Sequence, residues 1–284
     1  MDNTTIRQTH RTLEPYHGMI YFVPEAPAAY AQLGVQPSGG YFGSRSAAYG
    51  VVASETVVAT FFNFHPDLVR SSLEQTWAAT TPAAMLAARL AAVDAALRRV
   101  LGESLDAPEV AEAAGLARAA AAGCLADGHP LYAAHAAQPW PQAPHLQLWW
   151  AQTLLREFRG DGHISAMVTQ GLSGLQALVI HAATGVITRA ALQSTRGWSD
   201  DEWALAERGV TERGWLNDTG ALTQTGRQAR QWVEDTTDAL TARCWDRIGD
   251  DGAARLREIV APLTERLLPE FPGGGAWLRQ PPKP

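Results

Sequence analysis

Apolar residues recur every three to four positions over much of this chain, which is the spacing of one face of an α-helix. The clearest case follows Thr81, where Met85, Leu86, Leu90, Val93, Leu97 and Val100 or Leu101 line one face. Pro82 sits in its first turn and Gly102 supplies the stop. Pro108 opens an alanine-rich helix that reaches about Ala126, alanine being the strongest helix former. The most informative stretch is residues 145–163, HLQLWWAQTLLREFRGDGH. His145, Trp149, Gln152, Arg156 and Arg159 fall at offsets of 0, 4, 7, 11 and 14 and share one helical stripe, while Leu146, Trp150, Leu154 and Leu155 form an apolar one. The pattern predicts a helix that starts at Pro144 and stops at Gly160, with Asp161 as the N-cap of a new helix.

The flanking regions are less regular. Residues 1–10 are polar and predict loose chain, and residues 12–35 predict helical pieces broken by Pro15, Pro24 and Pro27. Residues 36–50, rich in Gly and Ser, predict a structured turn or broken helix. Residues 55–70 fit either a strand or a helix ending before Pro66. Residues 128–144 are a proline-rich loop. Beyond it come a helix over about 165–185, a short helix stopped by Gly197, and a helix opened by the capping box Ser199/Glu202. Trp215-Leu216 and Ala221-Leu222-Thr223 bracket Asn217-Asp218-Thr219-Gly220 as a two-stranded wing, followed by a helix from Thr225 to about Trp245. This order is that of a winged helix-turn-helix.

The expected fold is therefore mainly α, an N-terminal helical domain plus a C-terminal winged helix-turn-helix with a short β-wing. Expected divisions are 11–143 for the helical, pocket-bearing domain, 144–163 for the connecting helix and turn, 164–268 for the winged helix and 269–284 for a flexible tail.

Composition narrows the function. With 284 residues, 46% hydrophobic and 18% charged, the chain has ample core material and no signature of disorder. Net charge is −6 and Lys283 is the sole lysine, so the balance leans against binding through phosphate neutralisation. Cys124 and Cys244 stand far apart and are expected as reduced thiols in a cytoplasmic protein. Ten tryptophans suit a packed core or an aromatic pocket for a flat ligand. HExxH, CxxC and the common nucleotide and nucleophile-elbow motifs do not occur in the sequence, so no metal and no cofactor are expected.

Each candidate residue carries a functional and a structural reading. His17 and Tyr21, four apart, orient a ligand or relay a proton, or His17 is a packed histidine. His65 ends an aromatic run before a proline, Tyr41 and Arg45 suit an anion or an internal ion pair, and His181 reads as core. Arg156, Arg159, Asp161 and His163 crowd one helix end, with Asp161 placed to hold His163 for acid–base work or simply to cap. His163, Asp161 and His17 are the catalytic candidates; Tyr21, Tyr41, Arg45, His65, His145, Trp149 and Arg156 are the ligand-binding ones.

Residues 196–228, RGWSDDEWALAERGVTERGWLNDTGALTQTGRQ, resemble MarR-type winged-helix regulators, with Leu222-Thr223-Gln224-Thr225-Gly226 matching the start of the helix after their wing. More widely, LEPYHGMIYFVPEA, GYFGSRSAAYG, ATFFNFHPDLV and LLREFRGDGH resemble an actinobacterial group known as helix-turn-helix family proteins. The likeness spans about 12–268; it implies a fold and no activity. The resemblance to MarR proteins also implies a homodimer joined through terminal helices. One departure bears on function: residues 166–244 hold seven Arg against nine acids, and the presumed recognition helix opens Ser199-Asp200-Asp201-Glu202. Arg227 and Arg230 are the DNA-contact candidates.

Three functional readings follow. The first is a protein that handles a small molecule, as a binder or a metal-independent enzyme, with the winged helix as scaffold. The second is a ligand-responsive regulator that binds DNA, and the third a winged-helix DNA repair enzyme using Gln147 and Asp161. A small-molecule ligand is the expected partner and no membrane is expected.

Overall fold

The computed structural model describes residues 1–279, and among these it is mainly helical, with no strand. In chain order the helices are α1 (Asn3–Gly18), α2 (Glu25–Gln32), α3 (Pro37–Ser46), α4 (Ser54–Phe61), α5 (Pro66–Ala79), α6 (Pro82–Leu101), α7 (Pro108–Ala121), α8 (Pro130–Ala136) and α9 (Pro144–Thr169). They continue as α10 (Gly174–Ala183), α11 (Arg189–Arg196), α12 (Asp200–Glu212), α13 (Gln224–Thr241), α14 (Gly249–Leu267) and α15 (Ala276–Arg279). Prolines in the first turns of α3, α5, α6, α7, α8 and α9 set these starts, since a helix loses no hydrogen bond there.

The long α9 is the organising element. It packs against α7, α13, α8, α1 and α6, and Leu148, Trp149, Ala151, Leu155 and Phe158 along it are buried. The expected stop at Gly160 does not occur: α9 runs on to Thr169. A mid-helix glycine costs only about 1 kcal/mol, and burial of Ala166 and Met167 beyond it outweighs that. Asp161 accordingly caps no helix of its own. Its Oδ2 accepts hydrogen bonds at 3.0 Å from the backbone N–H groups of Leu131 and Tyr132, which makes it the acceptor at the start of α8.

Other expectations change for similar reasons. Residues 3–10 are helical: Asp2 accepts from the N–H of Thr5, and Ile6 and Thr9 are fully buried. Pro15 lies within the last turns of α1, and the break falls after Gly18. The 55–70 stretch is the two helices α4 and α5, and the 165–185 stretch is broken at Gly171, where Ser173 and Gln176 form a new capping box. The short helix stopped at Gly197 and the Ser199/Glu202 capping box are present as expected.

The β-wing shrinks to a single antiparallel bridge, Leu216 with Leu222. Trp215 follows α12 closely and Thr223 already caps α13, so no length remains for a ladder. The turn between them is held instead by Asn217 Oδ1, which accepts from the N–H groups of Thr219 and Ala221. At the C-terminus, residues 268–279 continue as short helical turns and Phe271 is buried; the remainder of the expected tail, 280–284, lies outside the described residues.

Among the described residues three hydrophobic cores form. The largest joins α1, α2, α6, α7, α9 and α14. A second joins the end of α9 with α10 to α13, and a third, built on Phe42, Phe61 and Phe64, holds α3, α4 and α5. Residues 253–271 thus pack with residues 6–35 in one core, outside the 164–268 division drawn from sequence.

Candidate functional site

The side chains that converge most tightly lie where α1, α3, α6 and α9 meet. Glu157 on α9 is buried, and Arg45 on α3 grips it with Nη2 at 2.6 Å and Nε at 3.3 Å. Arg156 reaches Glu157 at 3.4 Å and binds Glu14 through Nε at 3.0 Å. Burial alone would raise the Glu157 pKa, but Arg45 and Arg156 overcome it and hold the carboxyl at about 2. Arg45 also donates to Tyr41 Oη at 2.7 Å and lies over the Phe61 ring.

A third guanidinium, Arg89 on α6, is almost fully buried. It donates to the carbonyl of Ser44 at 3.1 Å and to Tyr21 Oη at 3.3 Å, and stacks over Trp149. Among the described residues no carboxylate lies within ion-pair distance of it, and its Nε has no hydrogen-bond partner. Nearby His135 is fully buried with both ring nitrogens unpartnered, and burial lowers its pKa to about 4. Tyr21 and Ser44, the two acceptors of Arg89, also line a cavity of about 210 Å³ whose other walls include Tyr30, Tyr41 and Val35. Gly40 makes room for that wall, since a Cβ there would lie 2.8 Å from the Tyr30 ring.

His17 sits beneath this cluster. Its Nε2 is 3.1 Å from Tyr21 Oη, its Nδ1 is 3.1 Å from Thr153 Oγ1, and its ring stacks on Trp149. Burial lowers its pKa well below the usual range, and Arg156, Arg89 and Arg45 add to the effect, so it is a neutral imidazole. Of the sequence candidates, His17, Tyr21, Tyr41, Arg45, Trp149 and Arg156 are therefore brought together.

The others go elsewhere. Asp161 and His163, two apart on a helix, point to different sides. Asp161 caps α8, whereas His163 Nδ1 meets Thr237 Oγ1 at 2.9 Å; they form no acid–base pair. His145 pairs with Asp94 at 2.6 Å, and Gln147 donates to the carbonyl of Gln142. Arg227 donates to the carbonyl of Leu222 and Arg230 faces Glu234 at 3.8 Å. His181 lines a second, mostly apolar cavity of about 240 Å³ with His163. Sequence reading missed Arg89, His135 and Glu157. The signal for two of them was present: Arg89 interrupts the apolar face between Met85 and Val93, and Glu157 and Asp161 extend the stripe of Trp150 and Leu154.

His65 has a different part. Its Nε2 meets Glu202 Oε1 at 3.1 Å, its ring edge meets Trp198, and its N–H donates to the carbonyl of Arg196. Trp198 Nε1–H donates to the carbonyl of Asn63 at 2.9 Å. The α11–turn–α12 unit has the spacing of a helix-turn-helix, and the N-terminus of its second helix is docked on the corner between α4 and α5. Phe62 at that corner has a φ of 39°, an uncommon conformation for an aromatic residue. A Cβ on Gly174 would lie 1.9 Å from the carbonyl oxygen of Phe62.

A family model described as "Helix-turn-helix family" matches residues 6–272. Neither the curated proteins nor the solved structures yield a match. Among the described residues no helix is long and apolar enough to cross a membrane.

Proposed function

The chain belongs to the helix-turn-helix family, and from that premise we propose that it handles a small anionic organic molecule in its helical body, with the helix-turn-helix unit as scaffold. The observation that carries this is Arg89, a buried guanidinium without a carboxylate partner among the described residues, beside a tyrosine-lined cavity. A buried cation is costly unless an anion meets it. Arg45 and Arg156 pair with Glu157 and Glu14, so the positive charge of Arg89 is left for a guest. Tyr21, Tyr30 and Tyr41 offer ring faces to a planar group and hydroxyls to its polar edge. An aromatic carboxylate fits both features.

In a helix-turn-helix that reads DNA, the first residues of the second helix meet base edges. Here those residues are Asp200, Asp201 and Glu202, and Glu202 is engaged by His65. This supports scaffolding over sequence reading.

The test is a thermal-shift screen of aromatic and aliphatic carboxylates at constant ionic strength, run on the native chain and on Arg89→Met. The expected result is a rise in Tm with aromatic carboxylates that Arg89→Met abolishes. A flat response of the native chain to every carboxylate, or an equal response of Arg89→Met, overturns the reading.

A further inference from the structure

On the other face of Arg156, between α1 and α9, lies a separate cavity of about 170 Å³. Arg7, Arg11, Arg156 and Arg159 line it, together with Gln152 and His10. Asp238 and Glu157, which hold three of these arginines, are not among the lining residues. Asp238, fully buried on α13, lies 2.8 Å from Arg7 Nε and 2.6 Å from Arg159 Nη1, and Glu157 backs Arg156. Glu14 is the one carboxylate among the lining residues. Such backing fixes the guanidiniums of Arg7, Arg156 and Arg159 in place at the wall of the cavity, and the planar guanidinium fork matches an oxyanion.

Gln152 adds an independent sign. It is 3% exposed, yet its Nε2 has no hydrogen-bond partner among the described residues. His10 Nε2, on the same wall, is also buried and unpartnered. A buried amide is nearly always satisfied, and donors left open beside four cations suit acceptor oxygens.

We infer that this cavity is a binding site for a small oxyanion, a phosphate or carboxylate group, distinct from the tyrosine-lined cavity. The guanidiniums supply charge, and the Gln152 amide donates to one oxygen.

Inorganic phosphate and citrate, each at ionic strength matched with sodium chloride, are the probes, with Tm as readout and isothermal titration to count sites. At roughly ten times its Kd, a bound anion raises Tm by about 2–4 °C. Gln152→Leu loses that rise. Gln152→Glu places a carboxylate in the anion's position, so it raises the Tm of the free protein and removes the response. Arg89→Met, which alters the residue bonded to Tyr21 and Ser44 of the other cavity, keeps the response to phosphate or citrate, so the two sites fail separately. A response to phosphate alone identifies the group as phosphate-like, and one to citrate alone as carboxylate-like. No response beyond sodium chloride, an undiminished response in Gln152→Leu, or a lowered Tm in Gln152→Glu overturns the assignment.

Discussion

At the residue scale, charge placement in the interior is governed by pairing. Glu157 stays ionised at about 2 because Arg45 and Arg156 reach it, while Asp161, one turn further along α9, is pushed up to about 7 by burial, with Glu157 adding to the rise and two backbone N–H groups opposing it. Two carboxylates in the same helix thus end on opposite sides of their ordinary pKa values according to their neighbours. The sign for stability follows. Asp161 holds its proton more tightly in the folded state than at its ordinary value of 3.8, so its contribution is complete below pH 3.8 and is lost as pH rises through about 7. Asp161→Asn keeps the oxygen that caps α8 and cannot titrate. Urea denaturation from pH 4 to 8 should show the native chain losing stability relative to Asp161→Asn as pH rises, with the difference levelling off above about 7. Parallel curves would show that Asp161 is solvated. The buried His135, lowered to about 4, works in the opposite sense: its contribution is complete above 6.5 and is lost as pH falls toward 4.

At the element scale, the joint between the α4–α5 corner and the helix-turn-helix unit is fixed by two glycines. Gly197 ends α11 in the left-handed conformation, and Gly174 lets the start of α10 touch the carbonyl of Phe62. Backbone cannot retreat as a side chain does, so Gly174→Ala forces the two elements apart. Overpacking of this kind costs about 1–3 kcal/mol, and chemical denaturation should find a loss of that order. Unchanged stability would mean that the corner and α10 are not in contact. The hydrogen bond of His65 with Glu202, partly open to water, adds little by comparison.

At the scale of the whole molecule, the two ends of the chain are interlocked. α1 packs on α14, and α13 packs against both α1 and α9, so the helix-turn-helix unit is anchored by its flanking helices as well as by the α4–α5 corner. The outward face of α12 carries Asp201, Leu205, Arg208 and Glu212, on a chain of net charge −6. Binding to DNA through phosphates requires a basic face. A titration of mixed-sequence duplex DNA down to about 50 mM salt should show no complex. Binding that weakens steeply as salt rises would instead reveal a basic face and restore the regulator reading.

The helices were written in the sequence because their signals are local. Pro82, Pro108 and Pro144 start helices, Gly102 and Gly197 end them, and Ser199 with Glu202 builds a capping box wherever the rest of the chain lies. Part of the site was legible for the same reason, since His17 with Tyr21 and Tyr41 with Arg45 are neighbours at helical spacing. Only the tertiary structure decided that α9 continues through Gly160, because the packing that outweighs a glycine comes from α8 and α13. It alone joined Arg45 to Glu157, 112 residues apart, and left Arg89 without a carboxylate among the described residues. Pairing in the interior is a property of distances across the fold, and residue spacing along the chain carries no record of them.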